Sequence, residues 1–223
     1  MVLLSVEIIQ RKKIVMKHEW RKEEKDIYIP KNKPELITIP SLKYFMIEGK
    51  GNPNDDLFGE YIGILYSLSY AVRMSYKGGF SPKDYFEYTV YPLEGLWDIS
   101  EEAKKNYTGR LDKNTLVFNL MIRQPDFVTE EFARDIIERT KKKKPHELLN
   151  KVKFGEIEDG NCVQMMHLGS YDSEGESFNQ MEQYCMENSL KRESKQHREI
   201  YLSDVRKVSP EKLKTVLRIK VNK

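Results

Sequence analysis

Hydrophobic and polar positions along this chain switch between two periods, and each switch marks an element. After a polar stretch from His18 to Lys33, Leu36 to Gly51 reads as a strand that ends in Gly49-Lys50-Gly51. Leu57, Phe58, Tyr61, Ile62, Leu65, Leu68 and Val72 then recur at spacings of three and four, which predicts a helix with one apolar face. Asp55 and Asp56 at its start complement the helix dipole. Lys77-Gly78-Gly79 breaks the pattern, and Tyr85 to Tyr91 reads as an aromatic-rich strand. Asn114 to Arg123 is another strand, with Leu116, Phe118, Leu120 and Ile122 on one face. Thr129 is placed to cap a helix whose first turn is acidic and whose last turn is Lys141 to Lys144.

The second part of the chain repeats that order. Cys162 to Gly169 reads as a strand ending in glycine, and Phe178, Met181 and Cys185 mark a helical face beginning after Asp172. His197 to Ser203 is a strand, and Leu213 to Val221 alternates with period two, predicting one buried and one largely wet face. Each half is therefore strand, helix, strand, strand, with repeats at about 34–125 and 151–222 joined by a helical connector near 129–150. The fold class expected is α+β. Two such halves side by side, with helices covering one face of each sheet, place a ligand cleft between two antiparallel sheets.

Residues 1–15 are read as a leader or extension outside the fold, followed by a domain over 16–223. Val2 to Ile9 is far shorter than the roughly 20 residues of a membrane-spanning helix. It also precedes the basic run Gln10 to Lys13, the reverse of a signal peptide. The expectation is a cytoplasmic protein without a membrane partner. Residues 1–33 are too short and too charged for a helix-turn-helix, which disfavours direct nucleic-acid binding.

Composition narrows the class further. The 223 residues include 38 Lys+Arg and 35 Asp+Glu, a formal net charge of +3, without the basic excess of nucleic-acid binders. With 39% hydrophobic residues, the chain is neither collagen-like nor disordered. Cys162 and Cys185 are too few for a disulfide framework and too far apart for a compact zinc motif. Thirteen Tyr, nine Phe and two Trp are a large aromatic content for a chain that is 33% charged.

Candidate chemistry centres on His197-Arg198-Glu199-Ile200-Tyr201-Leu202-Ser203. Period two puts Ile200 and Leu202 on one face and Glu199 and Tyr201 on the other. If the apolar pair meets the helices, Glu199 and Tyr201 face the cleft. There Glu199 serves as counter-ion for a cationic ligand, with aromatic rings adding cation–π attraction, or as a general base. The simpler reading is an exposed Glu paired with a neighbouring Arg or Lys. Tyr88, Tyr91 and Trp97 are candidate walls, Trp97 by folding back beyond a Glu94-Gly95 turn, although core packing is the usual role of aromatics at strand spacing. Ser170, His167 and Asp172 compose a triad on paper, but GxSxG is absent, and His167 reads better as packed or hydrogen-bonded. Gly49-Lys50-Gly51 lacks the rest of a nucleotide fingerprint, HExxH and CxxC are absent, and the four histidines are scattered. Neither a metal nor a cofactor is expected.

The segments "YFEYTVYPLEGLWD", "LVFNLMIRQPDFVTEE", "VQMMHLGSYDSE" and "HREIYLSDVRKVSPEKLKTVLRI", in this duplicated order, resemble the GyrI-like small-molecule-binding family over about Met16 to Val221. The likeness is to its stand-alone bacterial branch; the same fold forms the ligand domain of multidrug-sensing transcription activators. It implies paired SHS2-type modules with an aromatic-lined cleft around one acid. That acid matches Glu199, with Tyr201 beside it and Tyr88, Tyr91, Trp97, Met165, His167 and Tyr171 as ligand-binding candidates. It further implies a hydrolase that opens the strained cyclopropane of DNA-alkylating toxins, with Glu199 activating water and Tyr201 or Tyr171 orienting it. The alternatives are a non-catalytic binder of amphipathic or cationic drugs and a gyrase-modulating protein; no sequence feature independently supports gyrase.

Overall fold

A computed structural model describes residues 17–222, so the expected leader lies outside the described residues. Two short helical turns, α1 (Trp20–Glu23) and α2 (Lys25–Tyr28), precede the first long strand, β1 (Glu35–Lys50). Helix α3 (Asp56–Met74) follows, then β2 (Leu93–Ile99), the short α4 (Glu101–Lys105) and β3 (Leu116–Gln124). Helix α5 (Glu130–Lys143) leads to β4 (Lys153–Leu168), α6 (Glu174–Glu187), the two-residue β5 (Lys191–Arg192), β6 (His197–Tyr201) and β7 (Lys214–Asn222). None of the described helices is long and apolar enough to cross a membrane.

The expected α+β class with antiparallel sheets is what the chain adopts. Strands β1, β3 and β2 lie side by side, as do β4, β7 and β6. The two sheets do not stand apart across an open cleft, however. They are hydrogen-bonded to each other through β1–β4 along one edge and β2–β6 along the other, so six strands close into a barrel. Closure leaves no free sheet edge among those six strands, which removes a template for aggregation.

Helices α3 and α6 cover the outside of this barrel. Tyr61, Ile64, Leu65, Leu68 and Val72 of α3 are buried in the same core as Phe45, Ile47, Leu120 and Ile122 of β1 and β3. The close approach requires Gly49: a Cβ there would stand 2.3 Å from the Phe118 ring and 3.1 Å from that of Tyr61. Met181 and Cys185 of α6 pack in turn on Val163, Met165, Leu217, Ile219 and Val221. The Thr129 hydroxyl caps α5 by accepting from Phe132 N at 3.2 Å, as the sequence predicts.

The inner face of the barrel is charged rather than wet. On β7 the positions expected to face solvent include Val216 and Arg218, which are buried. Arg198 lies at the centre: its Nε and Nη2 donate to the two Asp159 oxygens at 2.7 and 3.0 Å, and its Nη1 donates to Glu94 Oε2 at 2.8 Å. Arg218 donates to Gln164 Oε1 and to the carbonyl of Ile27. Burial pushes the Glu94 carboxyl up despite Arg198. Burial also opposes the charge of Asp159, but Arg198 and Arg218 outweigh it and hold that carboxyl below its ordinary value. The turns α1 and α2 pack against this assembly, with Glu24 paired to Arg123 and Trp20 Nε1 donating to Val90 O at 3.0 Å.

Two elements differ from the pattern reading. Tyr85 to Tyr91 is not a strand of the sheet: among the described residues its one β-bridge is to His18, and Pro92 separates it from β2. Strand β4 begins at Lys153, well before the expected Cys162, because the polar run around Glu156, Glu158 and Asp159 masks it. Gly160, at φ +66°, lies within the strand directly after Asp159, whose carboxylate reaches Arg198.

Replacing Arg198 by Met leaves Glu94 and Asp159 buried without their main cation. The expected loss is about 3–5 kcal/mol, the cost of breaking a buried ion pair from one side, read as a fall in denaturation midpoint. A loss below about 1 kcal/mol would show that the network contributes no more than a surface pair.

Candidate functional site

Alternation along β6 sends Arg198 and Ile200 into the barrel and His197, Glu199 and Tyr201 to the outer face. That outer face is the one the helices cover, since Glu199 pairs with Leu217 beneath α6 and Leu93 and Trp97 of β2 pair with Tyr201 and His197. The sequence assigned the sides the other way, with Ile200 and Leu202 toward the helices. The site therefore lies on the β2–β6 seam between α3 and α6, not on the barrel's inner face.

Glu199 is the floor of this site and is 8% exposed. Its Oε1 lies 3.0 Å from His197 Nε2. The Tyr201 hydroxyl oxygen accepts from Trp97 Nε1 at 2.7 Å, which holds the phenol in the field of the Glu199 carboxylate. Burial and the Glu199 charge together raise the Tyr201 phenol well above its usual value, so it stays a proton donor. Gly95 makes this geometry possible. It sits directly opposite Glu199 on β2, and a Cβ there would stand 2.6 Å from Trp97 Nε1. The indole lies across the glycine to reach Tyr201, so Glu94-Gly95 is a strand segment and not the turn expected from sequence.

The 3-10 turn Tyr171–Ser173 and the start of α6 supply the other wall. Tyr171, 39% exposed, meets Tyr201 edge to face with ring centroids 5.9 Å apart, and burial with the Glu199 charge pushes its phenol up to about 12. Glu174, the first residue of α6, is 7% exposed, and its Oε1 has no hydrogen-bond partner among the described residues. A carboxylate oxygen of Glu174, one of Glu199 and a ring nitrogen of His197 all lie within 4.8 Å of one another. Burial, then Glu199 and Asp172, push the Glu174 carboxyl up to about 9. One helical turn on, Phe178 packs edge to face on His197 at 4.7 Å, and across the seam Phe58 of α3 lies 5.7 Å from Trp97.

The candidate residues divide cleanly. Glu199, Tyr201, Trp97 and Tyr171 come together. His167 stands behind them: its Nε2 donates to Ser170 O at 3.0 Å, and its Nδ1 is 2.9 Å from Ser177 Oγ, which pins the turn carrying Tyr171 and Glu174. Ser170 thus offers a carbonyl to His167, and Asp172 pairs with Lys113, so the paper triad is not assembled. Met165 is buried under α6 with Met181 and Leu217. Tyr88 and Tyr91 are not at the site. They pack with Tyr28 and Phe127 in a separate aromatic group, where Tyr91 donates to Glu24 at 2.7 Å and lies under Arg123.

Sequence reasoning passed over Glu174, His197, Gly95, Phe58 and Phe178 as site residues. Glu174 had a signal: with Phe178, Met181 and Cys185 it falls on the buried stripe of α6, where an acid is out of place. Its raised pKa has a sign. Glu174 is neutral in the folded chain up to about pH 9, whereas the unfolded carboxyl ionises near its ordinary value, so stability falls as pH rises through that window. Glu174→Gln is expected to raise Tm over the parent at pH 9, with the gap closing toward pH 5. A gap of constant size across that range would contradict the assignment.

The model for the GyrI-like small molecule binding domain matches residues 32–222. A hydrolase from Listeria innocua is 36% identical, with a TM-score of 0.83 over 92% of this chain and all of its own. A second hydrolase, encoded by lin2189 in the same organism, is 38% identical with a TM-score of 0.84 over the same shares. The C-terminal domain of EcmrR, 15% identical over 86% of this chain and 98% of its own, shares the fold at a TM-score of 0.50. No curated protein matches the chain. With every barrel strand and helices α3, α5 and α6 inside the match, the chain belongs to the GyrI-like small-molecule-binding domain family.

Proposed function

We propose that the protein is a hydrolase that admits flat, hydrophobic, electrophilic compounds between Trp97 and Tyr171 and adds water to them over Glu199. The observation that carries this reading is the Glu199 carboxylate set among aromatic side chains, with a phenol held against it by Trp97. Two proteins that match this chain over their full length at 36% and 38% identity are hydrolases, which supports the reading.

The substrate class is a strained cyclopropane conjugated to an electron-withdrawing group, as in DNA-alkylating toxins, and the role is detoxification. Glu199 takes a proton from water as the oxygen attacks a ring carbon. The carbon–carbon bond breaks, its electron pair moves into the acceptor, and a proton supplied from the site or solvent completes net addition of one water. Ring strain supplies much of the driving force, so one positioned carboxylate and one orienting hydroxyl suffice. Tyr201 is the orienting group, and Tyr171 closes over the ligand from the solvent side.

A second reading has its own observation. Two carboxyl groups, Glu174 and Glu199, sit among five aromatic side chains with no Lys or Arg among the described residues bonded to either, which suits a sequestering site for a flat cation.

The readings separate on Glu199→Gln. Incubation of the protein with cyclopropane-containing alkylators, followed by mass spectrometry, is expected to yield a product one water heavier. Glu199→Gln should lower turnover by about 100-fold or more and leave ligand binding within a few-fold. Turnover persisting in that variant would sink the mechanism, and loss of binding for cations alone would favour sequestration.

A further inference from the structure

We infer that Glu174, His197 and Glu199 form a site for one divalent transition-metal ion of the zinc or manganese class, open on one side to the aromatic cleft. The inference stands apart from the hydrolytic reading, because it concerns what the three side chains bind and not what the cleft turns over.

Geometry is the first support. Two carboxylates and an imidazole bring one donor atom each to within 4.8 Å of the others. Donor atoms bound to a common ion at about 2.0–2.2 Å stand at most a little over 4 Å apart, so small rotations of these side chains close the set. The donors are carried by regular elements: His197 and Glu199 are alternate residues on one face of β6, and Glu174 opens α6. Both elements are held in place, β6 by pairing on both edges and the α6 turn by His167.

The second support is an unmet need at Glu174. The side chain is more than nine-tenths buried, and Oε1 has no hydrogen-bond partner among the described residues. The neighbouring charges that act on it, Glu199 and Asp172, are both acidic. A buried carboxyl facing another carboxylate, with no cation of the protein's own, either keeps a proton or takes up a cation. His197 adds to the pair the donor that distinguishes a transition-metal site from a hard-cation site, since imidazole suits zinc and iron better than calcium, while the two carboxylates also suit manganese.

The surroundings have the character of a metal's outer shell. Tyr201, beside Glu199 on the same face of β6, is fixed by Trp97, while Phe178 packs against the His197 ring. Such contacts orient ligands and strengthen binding. Three protein ligands leave a coordination position free, and the half-exposed Tyr171 borders it, so the open side admits water or a ligand oxygen. With an ion bound, Glu199 would serve as a ligand, and the ion would supply Lewis-acid chemistry at the open position.

The test uses the full, untagged chain after chelator treatment and dialysis. Calorimetric titration with zinc chloride and with manganese chloride is expected to show one saturable equivalent, and cobalt chloride is expected to develop visible absorption. Glu174→Gln and His197→Ala should each weaken binding by more than about 100-fold, with circular dichroism confirming that both fold. Absence of saturable binding to the parent chain overturns the inference, and so does parent-like affinity in both variants. Hydrolysis is assayed separately in excess chelator. Turnover without metal binding refutes only this site, and metal binding without turnover in either condition refutes only the hydrolytic reading.

Discussion

Arg198 and Glu199 are neighbours on β6 and point in opposite directions, and the rest of the molecule depends on that parity. Arg198 enters the barrel, where Asp159 from β4 and Glu94 from β2 satisfy it. Glu199 is thereby sent to the outer face, under the start of α6. Because side chains along a strand alternate with period two, a slip of one residue would bring the carboxylate inside the barrel and the guanidinium to the cleft. A buried charge pair is poor evidence of net stability, but as a device that selects one register it is strong, since the slipped arrangement would take from Glu94 and Asp159 the guanidinium that both share. The same parity governs β2, where Glu94 faces inward and Gly95 faces the site. The buried ion network and the candidate site are two faces of one pair of strands.

Much of this was legible in the sequence, and what was not has physical causes. The period-3.6 stripe from Tyr61 to Val72 and the period-two alternation of Leu116 to Ile122 and Leu213 to Val221 correspond to α3, β3 and β7, because each has one apolar face on the core. Strand alternation also singled out Glu199 and Tyr201 as sharing a face. Which face that was could not be read, because Arg198 and Arg218 fill the barrel, and arginine in a pattern of hydrophobic positions looks like solvent. The aromatic run Tyr85 to Tyr91 imitates a strand by composition, but Pro92 and the packing of α1 and α2 give it another role. That is why Tyr88 and Tyr91 join Tyr28 and Phe127 and not the site. The early part of β4 was hidden by Glu156, Glu158 and Asp159, polar residues on a strand whose inner face is charged.

The site is asymmetric in a way that bears on its chemistry. Every ionisable group in it comes from the second half of the chain: Glu174, His197, Glu199, Tyr171 and Tyr201. The first half contributes Trp97, Phe58 and the bare surface of Gly95. Where β2 and β6 lie against each other, a side chain at Gly95 would occupy the space in which the Trp97 indole now crosses to Tyr201. The glycine thus sets the depth of the acidic floor, and the indole sets the direction of the phenol. A rigid apolar wall from one half and a polar floor from the other suit a flat ligand with one reactive edge: the wall fixes the plane of the ligand, and the alternation of β6 fixes which edge meets Glu199.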